Sequence, residues 1–396
     1  MDAAPFVDVT VVDLGQIYNA PYATLLLALG GANVIKVEPL TGENLRGRGR
    51  VRGAGAPFAM LNSNKRDVTL NLKDPRGVEL LEQMVVKADV FVENFRPGVT
   101  DKLGIGSQRL HDLNPMLIYA SGSGYGSTGP YRDLPAMDIT IQAMSGIMSV
   151  TGFPDREPVK AGPAISDFMG GIHLFGAITS ALYQREKTGR GTTVEAAMLD
   201  AVYPSLMSSL GLYFGGTGDI PTRTGNRHSG MAEAPYNVYP ASDGHVALIC
   251  VGEGHWRAMT ELMGMPELAT NPRFVDRVAR VAHIDEVDAL VSGWTRDQTK
   301  EELAERLRGA GVPSAPVREL GEVVNDPHLR QRGMLREIDH PEMGSLVVPH
   351  SPVRVGDFYA ELSPSPRLGE HNDEIYGQWL GLDVETIADL KKDGVI

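Results

Sequence analysis

The chain has 396 residues, 42% of them hydrophobic, 45 glycines, and 50 acids against 37 bases for a net charge of −13. That length predicts two or three domains, and the composition is that of an ordinary globular protein, which excludes disordered and collagen-like chains. The acid excess argues against nucleic acid as a partner, and the lone cysteine, Cys250 in the apolar run HVALICVG, excludes disulfide scaffolds and cysteine metal clusters.

No run reaches ~18 uninterrupted apolar residues. The N-terminus MDAAPFVD carries acids where a secretory signal carries bases, so a cytoplasmic, non-membrane protein is expected.

In chain order, DVTVVDLG, PYATLLLALGGA and NVIKVEP alternate strand and helix patterns, the rhythm of a parallel α/β sheet. RDVTLNL, DVFVENF and LIYASGS continue it, giving five strands by residue 121, with a helix between the first two of these opened by Asp74 as cap and Pro75 at its first position. From Asp138 to about Phe214 the pattern is mostly helical, broken by the turn KTGRG and a short strand TTVEA. A Gly/Thr/Pro-rich segment around residue 220 reads as a linker. Beyond it, NVYPASDGHVALICVG predicts a hairpin turning at Asp243-Gly244, followed by helices, and the tail returns to strand text in LVVPHSPVRV before two amphipathic helices. The expected division is 1–195 as a large domain, 196–224 as linker, 225–330 as a smaller α+β domain, and 331–396 returning to the large domain.

Several motifs carry no chemistry on inspection. GYGSTG at Gly124 to Gly129 has dinucleotide-loop spacing, but Pro130 follows at once and denies it the helix N-terminus that would hold a pyrophosphate. The ten histidines show no HExxH or HxH spacing, so no metal is expected, and no GxSxG elbow exists. More suggestive is a local set of bases in an acidic chain. Arg96 tips the turn of ENFRPG after a strand, Lys102 follows, Lys65, Arg66 and Lys73 flank another strand, and Arg46, Arg48 and Arg50 share a loop. Such bases suit a ligand with several phosphates, or merely solvate loops. In AGPAISDFMGG, Asp167 opens an apolar helical run where an aspartate caps a helix, yet Gly170 and Gly171 in the first turn suggest a close approach to that backbone.

Together, LLLALGGANVIKVEP, LNSNKRDVTLNLKDPRG, VENFRPGVTDKLG, QAMSGIMSVTG, ISDFMGG, KTGRGTTVEAAMLDA, APYNVYPASDGHVAL and LGEHNDEI resemble the family III coenzyme A transferases, the CaiB/BaiF family, over nearly the whole chain. The resemblance implies a Rossmann-like large domain, a smaller domain, and an interlocked homodimer whose chains share the active site. It implies transfer of coenzyme A from an acyl-CoA to a small carboxylic acid, with no metal, and Asp167 as the nucleophile, kept ionised by its helix N-terminus. Asn19, Leu70, Asn71, Leu72, Lys73, Asn94, Phe95, Arg96 and Lys102 match coenzyme A-contacting positions; Tyr18, Met137, Asp138, Gly170 and Gly171 match positions around the reacting groups, the glycines admitting the thioester. Tyr18, Met137, Met198 and the loop 225–236 are expected around the acid. Two departures stand out. Pro39 replaces an arginine that formyl-CoA transferases carry, leaving a phosphate contact to Arg46, Arg48 or Arg50. Met137-Asp138 replaces the His-Asp pair of the related racemases, and methionine cannot exchange a proton, which disfavours a racemase. A coenzyme A-binding protein without catalysis is the other alternative.

Overall fold

The computed structural model describes residues 4–47, 55–215 and 222–396. The chain divides into two compact units, one formed by Met1–Ile141, Pro163–Val202 and Asp326–Ile396, the other by Gln142–Gly162 and Tyr203–Asn325.

The first unit is built on a six-stranded sheet of β1 (Thr10–Asp13), β2 (Asn33–Glu38), β3 (Arg66–Thr69), β4 (Val90–Glu93), β5 (Ile118–Ser123) and β6 (Thr192–Ala197), in the order β3-β2-β1-β4-β5-β6. Every pairing is parallel, as the alternating sequence pattern predicts. The central strands are apolar on both sides because both faces are covered. On one face the helices Asn19–Leu29 and Ile165–Thr188 bury Ala20, Ala23, Leu27, Leu174 and Ile178 against Val11, Val34, Val90 and Val92. On the other, the helices Pro75–Val86 and Val384–Lys392 contribute Leu81, Met84, Ile387 and Leu390 around Val12, Ile35 and Phe91. Asp74 caps the Pro75–Val86 helix as expected, its carboxylate accepting the Arg76 N–H at 2.9 Å. Strand order runs outward from β1 to β3, then restarts at β4 beside β1. Loops leaving the carboxyl ends of β1 and β4 therefore diverge and open a crevice, the usual ligand position in such sheets.

Charge is buried under this crevice. Lys65, whose side chain is fully buried, donates to Asp13 Oδ2 at 3.0 Å, Thr24 Oγ1 at 2.8 Å and Asn62 Oδ1 at 2.9 Å. Asp13 Oδ1 accepts the Gly15 N–H at 2.7 Å, and Lys36 Nζ donates to the Gly15 carbonyl at 2.8 Å, so the turn after β1 is held from both sides. Arg46 is engaged inside the fold: Nε donates to both Glu38 oxygens at 2.9 and 3.0 Å, Nη2 donates to the Pro366 carbonyl at 2.9 Å, and the guanidinium lies 3.9 Å from the centre of the Phe58 ring. It is therefore not the free phosphate ligand that the sequence offered, because two buried carboxylates claim it first. Arg48 and Arg50 lie outside the described residues. Burial, then the neighbouring Glu38, pushes the Asp67 carboxyl well above the usual carboxylate range.

The helix Ile165–Thr188, 24 residues long, is by length and composition apolar enough to cross a bilayer. In this unit it packs on the Asn19–Leu29 helix and on β5 and β6.

The second unit has an antiparallel sheet of β7 (Tyr236–Ala241), β8 (Gly244–Ile249) and β9 (Ser314–Pro316), with the β7–β8 hairpin turning where Asp243-Gly244 predicts. Trp256, Met259, Val287, Leu303 and Leu307 fill its core together with Cys250, whose thiol is pushed up to about 12 by burial.

Candidate active site

A cleft of about 880 Å³ opens over the carboxyl ends of β1, β4 and β5, lined among others by Gln16, Asn19, Glu43, Asn94, Phe95, Arg96, Arg132, Met137, Asp167 and Met198. Six of the expected site residues other than Asp167 thus meet at one place: Asn19, Asn94, Phe95, Arg96, Met137 and Met198.

The helix carrying Asp167 begins at Ile165 with Ala164 as its N-cap, and Ala164 makes no side-chain capping bond. Asp167 is therefore not the cap that its sequence position suggested; it lies within the first turn. The capping acceptor comes from another element. Asp138 Oδ1 accepts the Ser166 N–H at 2.8 Å and the Asp167 N–H at 3.4 Å. Asp167 is buried, 7% exposed, and no hydrogen bond or ion pair engages its carboxyl among the described residues. Burial first, and the Asp138 charge second, push that carboxyl up to about 7. The helix N-terminus does not hold it ionised at low pH, because the N–H groups that would do so point at Asp138 instead.

Gly170 and Gly171 face protein. A β-carbon on Gly170 would come within 2.2 Å of Asn19 Nδ2 and 2.9 Å of Met198 Cγ, and one on Gly171 within 2.6 Å of the Asn19 carbonyl. The two glycines let the Asp167 helix touch the Asn19–Leu29 helix; the room expected for a thioester is taken up by Asn19, Met198 and Tyr22.

The loop after β1 is strained. Ile17 takes φ 65°, a conformation that a β-branched residue rarely adopts, and Glu43 Oε2 accepts its N–H at 3.2 Å. Asn94 ties the same loop to β4: its Oδ1 accepts the Gln16 N–H at 2.8 Å and its Nδ2 donates to the Gln16 carbonyl at 2.9 Å. The Asn94 amide thus builds the cleft floor. Tyr18 stands outside the lining and packs on Phe168, ring centres 5.9 Å apart.

Leu70, Asn71, Leu72, Lys73 and Lys102 do not line this cleft. Leu70 is buried in the core, and Asn71 donates to the Gly394 carbonyl at 3.2 Å, which leaves Lys73 as the exposed side chain of that segment. Lys102 is exposed in the short helix Val99–Lys102 that follows the Arg96 turn. GYGSTG leads into an irregular loop that becomes helical at Asp138, so no helix N-terminus stands behind its glycines.

Gln16, Glu43 and Arg132 line the cleft without having been singled out in the sequence. Gln16 and Arg132 follow β1 and β5, and the strand-end rule that picked Arg96 could have found them. Glu43 lies in a loop with no local signal. Arg132 Nε lies 3.9 Å from the carboxylate of its chain neighbour Asp133, an exposed pair worth little.

Among the described residues no cluster of three or more His, Cys, Asp or Glu side chains could hold a metal. The sequence pattern of CoA-transferase family III matches residues 6–372. A formyl-CoA:oxalate CoA-transferase of Streptomyces avermitilis is 38% identical over 98% of this chain and 98% of its own. An acetyl-CoA:oxalate CoA-transferase of Acetobacter aceti is 39% identical over 92% of this chain and 93% of its own. The crystal structure of a CaiB/BaiF family protein from Brucella suis matches with a TM-score of 0.83 and 36% identity, over 95% of this chain and 100% of that one. With a parallel sheet, a cleft at its strand ends and relatives of this length and identity, the chain belongs to CoA-transferase family III and is a CoA-transferase.

Proposed function

We propose that Asp167 is the nucleophile and that transfer runs through covalent aspartyl intermediates. The observation that carries this reading is a buried carboxyl on the cleft with no hydrogen bond to occupy it among the described residues, in a cleft that Arg96 and Arg132 also line. Ionised Asp167 attacks the thioester carbonyl of the donor acyl-CoA, the C–S bond breaks, and a mixed anhydride forms with release of the coenzyme A thiolate. The thiolate then attacks the aspartyl carbonyl, giving an aspartyl thioester and freeing the donor acid. The acceptor carboxylate attacks that thioester, and the returning thiolate takes the acceptor acyl group and restores Asp167. Each step exchanges one acyl bond for another, so the thioester energy is retained and no oxidant or metal is needed.

Arg96 and Lys102, exposed on the β4 loop and the helix after it, bind the coenzyme's phosphates, and Lys73 serves the same end from the edge of the sheet. Met137 and Arg132 face the acid. The relatives named above act on oxalate, and Arg132 in the cleft suits a small anionic acid of that kind. Incubation with a donor such as formyl-, acetyl- or succinyl-CoA and hydroxylamine, without acceptor, should convert Asp167 to its hydroxamate, seen by peptide mass spectrometry as a modification of that residue. An Asp167 left unmodified in a preparation that transfers coenzyme A once an acceptor is added would count against the covalent route.

The protein acts as an interlocked homodimer. Supporting this are outward apolar side chains that water disfavours in such number: Ile172 and Tyr183 are 46% and 68% exposed, and Met207, Tyr213 and Phe214 are 70%, 67% and 77% exposed. Sedimentation at micromolar concentration should give a dimer; a monomer that is fully active would refute it.

A further inference from the structure

We infer that Asn19 is a positioning residue that holds the Asp167 turn, rather than a contact of the coenzyme. Its role rests on the reading of Asp167 as nucleophile.

Asn19 is 3% exposed, and its Nδ2 donates to the Asp167 carbonyl at 3.3 Å. Its Oδ1 is buried without a hydrogen-bond partner among the described residues. A buried acceptor left unpaired costs stability, and an apolar side chain of that size would avoid the cost. The amide is retained for something other than folding. Two glycines make room for it: a β-carbon on Gly122, in β5, would come within 2.3 Å of Asn19 Oδ1, and one on Gly170 within 2.2 Å of Asn19 Nδ2. The side chain is thus clamped between the carboxyl end of β5 and the first turn of the nucleophile's helix. With Asp138 taking the N–H groups of Ser166 and Asp167, that turn is gripped at its N–H side by one residue and at its carbonyl by the other. The grip fixes the backbone from which the Asp167 carboxyl projects. An attacking oxygen displaced by about 1 Å loses on the order of 10²-fold in rate.

The test compares Asn19→Leu and Asn19→Asp in the full-length protein, with steady-state transfer, the pH profile and thermal unfolding. Both variants lack the Nδ2 donor. The expected result is a fall in kcat of roughly 10- to 100-fold with KM for the acyl-CoA within about 2-fold, and for Asn19→Leu, which buries no new charge, an unfolding temperature no lower than wild type. In Asn19→Asp the acid limb of the profile also moves to higher pH, because a new carboxylate beside Asp167 resists its ionisation. Gly170→Ala, which pushes the amide aside without removing it, should lower kcat in the same way, and it keeps the test open should a substitution at Asn19 fail to fold. A KM increase with kcat preserved would make Asn19 a coenzyme contact and overturn the inference, as would unchanged kcat in all three variants. Full activity of Asp167→Asn would instead sink the nucleophile reading itself.

Discussion

Asp167→Asn should lower transfer by at least ~10³-fold, since removing a covalent nucleophile leaves binding and charge stabilisation to act alone. The variant should still bind acyl-CoA. Wild-type activity should rise with pH through about 7, where the Asp167 carboxyl loses its proton and becomes nucleophilic. Stability should move the other way. The folded carboxyl titrates near 7 and the unfolded one near 3.8, so between those values the native state holds the extra proton. Stability contributed by this group is complete below the lower value, falls as pH climbs through the window, and is lost above about 7. An asparagine carries no such proton. Asp167→Asn should therefore be more stable than wild type at pH 8, by about 4 kcal/mol at most, and the gain should vanish towards pH 4. Asp138→Asn keeps an oxygen for the Ser166 N–H but removes the charge, so its activity profile should shift to lower pH. Chromatography of CoA esters across pH 5 to 9, with urea unfolding at pH 4.5 and 8, reads all of this. An Asp167→Asn protein that turns over at the wild-type rate, or a wild-type rate that falls as pH rises from 6 to 8, would refute the assignment.

The sheet was legible because both of its faces are covered, which makes each strand a short apolar run separated by helical periods, as in NVIKVEP and DVFVENF. Arg96 was legible because a turn at a strand end places its side chain at the crevice. What the sequence hid was pairing at a distance. Asp138 and Asp167 lie 29 residues apart and meet because one helix start caps another, and nothing in either local pattern distinguishes a residue that caps its own helix from one that caps a neighbour. Gly170 and Gly171 pointed correctly to a close approach, but the approaching group is the Asn19–Leu29 helix, 148 residues away along the chain from Asp167 at the Asn19 contact. Arg46 read as a candidate phosphate contact in a loop because Glu38, Asp67 and the Pro366 carbonyl converge on it only in the fold.

Lys65→Met should be the most destabilising single change under the cleft. Lys65 is held at a pKa of about 8 by burial, which Asp13 partly offsets, and it is the closest counter-charge of an Asp13 that is itself fully buried. Removing one partner of a buried pair leaves the other uncompensated and costs about 3–5 kcal/mol, whereas removing both is far milder. Adding Asp13→Asn should therefore recover much of the loss, because the amide oxygen can still accept the Gly15 N–H and no lone charge remains. The pH dependence separates this from simple loss of packing. Asp13 is normally held below the usual carboxylate range: burial raises it, but Lys65 and then Lys36 outweigh that. Without Lys65 it rises, the folded state gains a proton as pH falls, and the deficit of Lys65→Met should shrink between pH 7.5 and 5. A cavity or packing defect would be the same at both. Urea unfolding of the single and double variants at those two values decides: a deficit below about 1 kcal/mol, or a double variant no more stable than Lys65→Met, would show that Asp13 does not depend on this lysine. Activity should follow the same order, since Asp13 and Lys36 hold Gly15 from both sides and Gln16, Ile17 and Asn19, which follow it, line the cleft, Asn19 gripping the Asp167 turn.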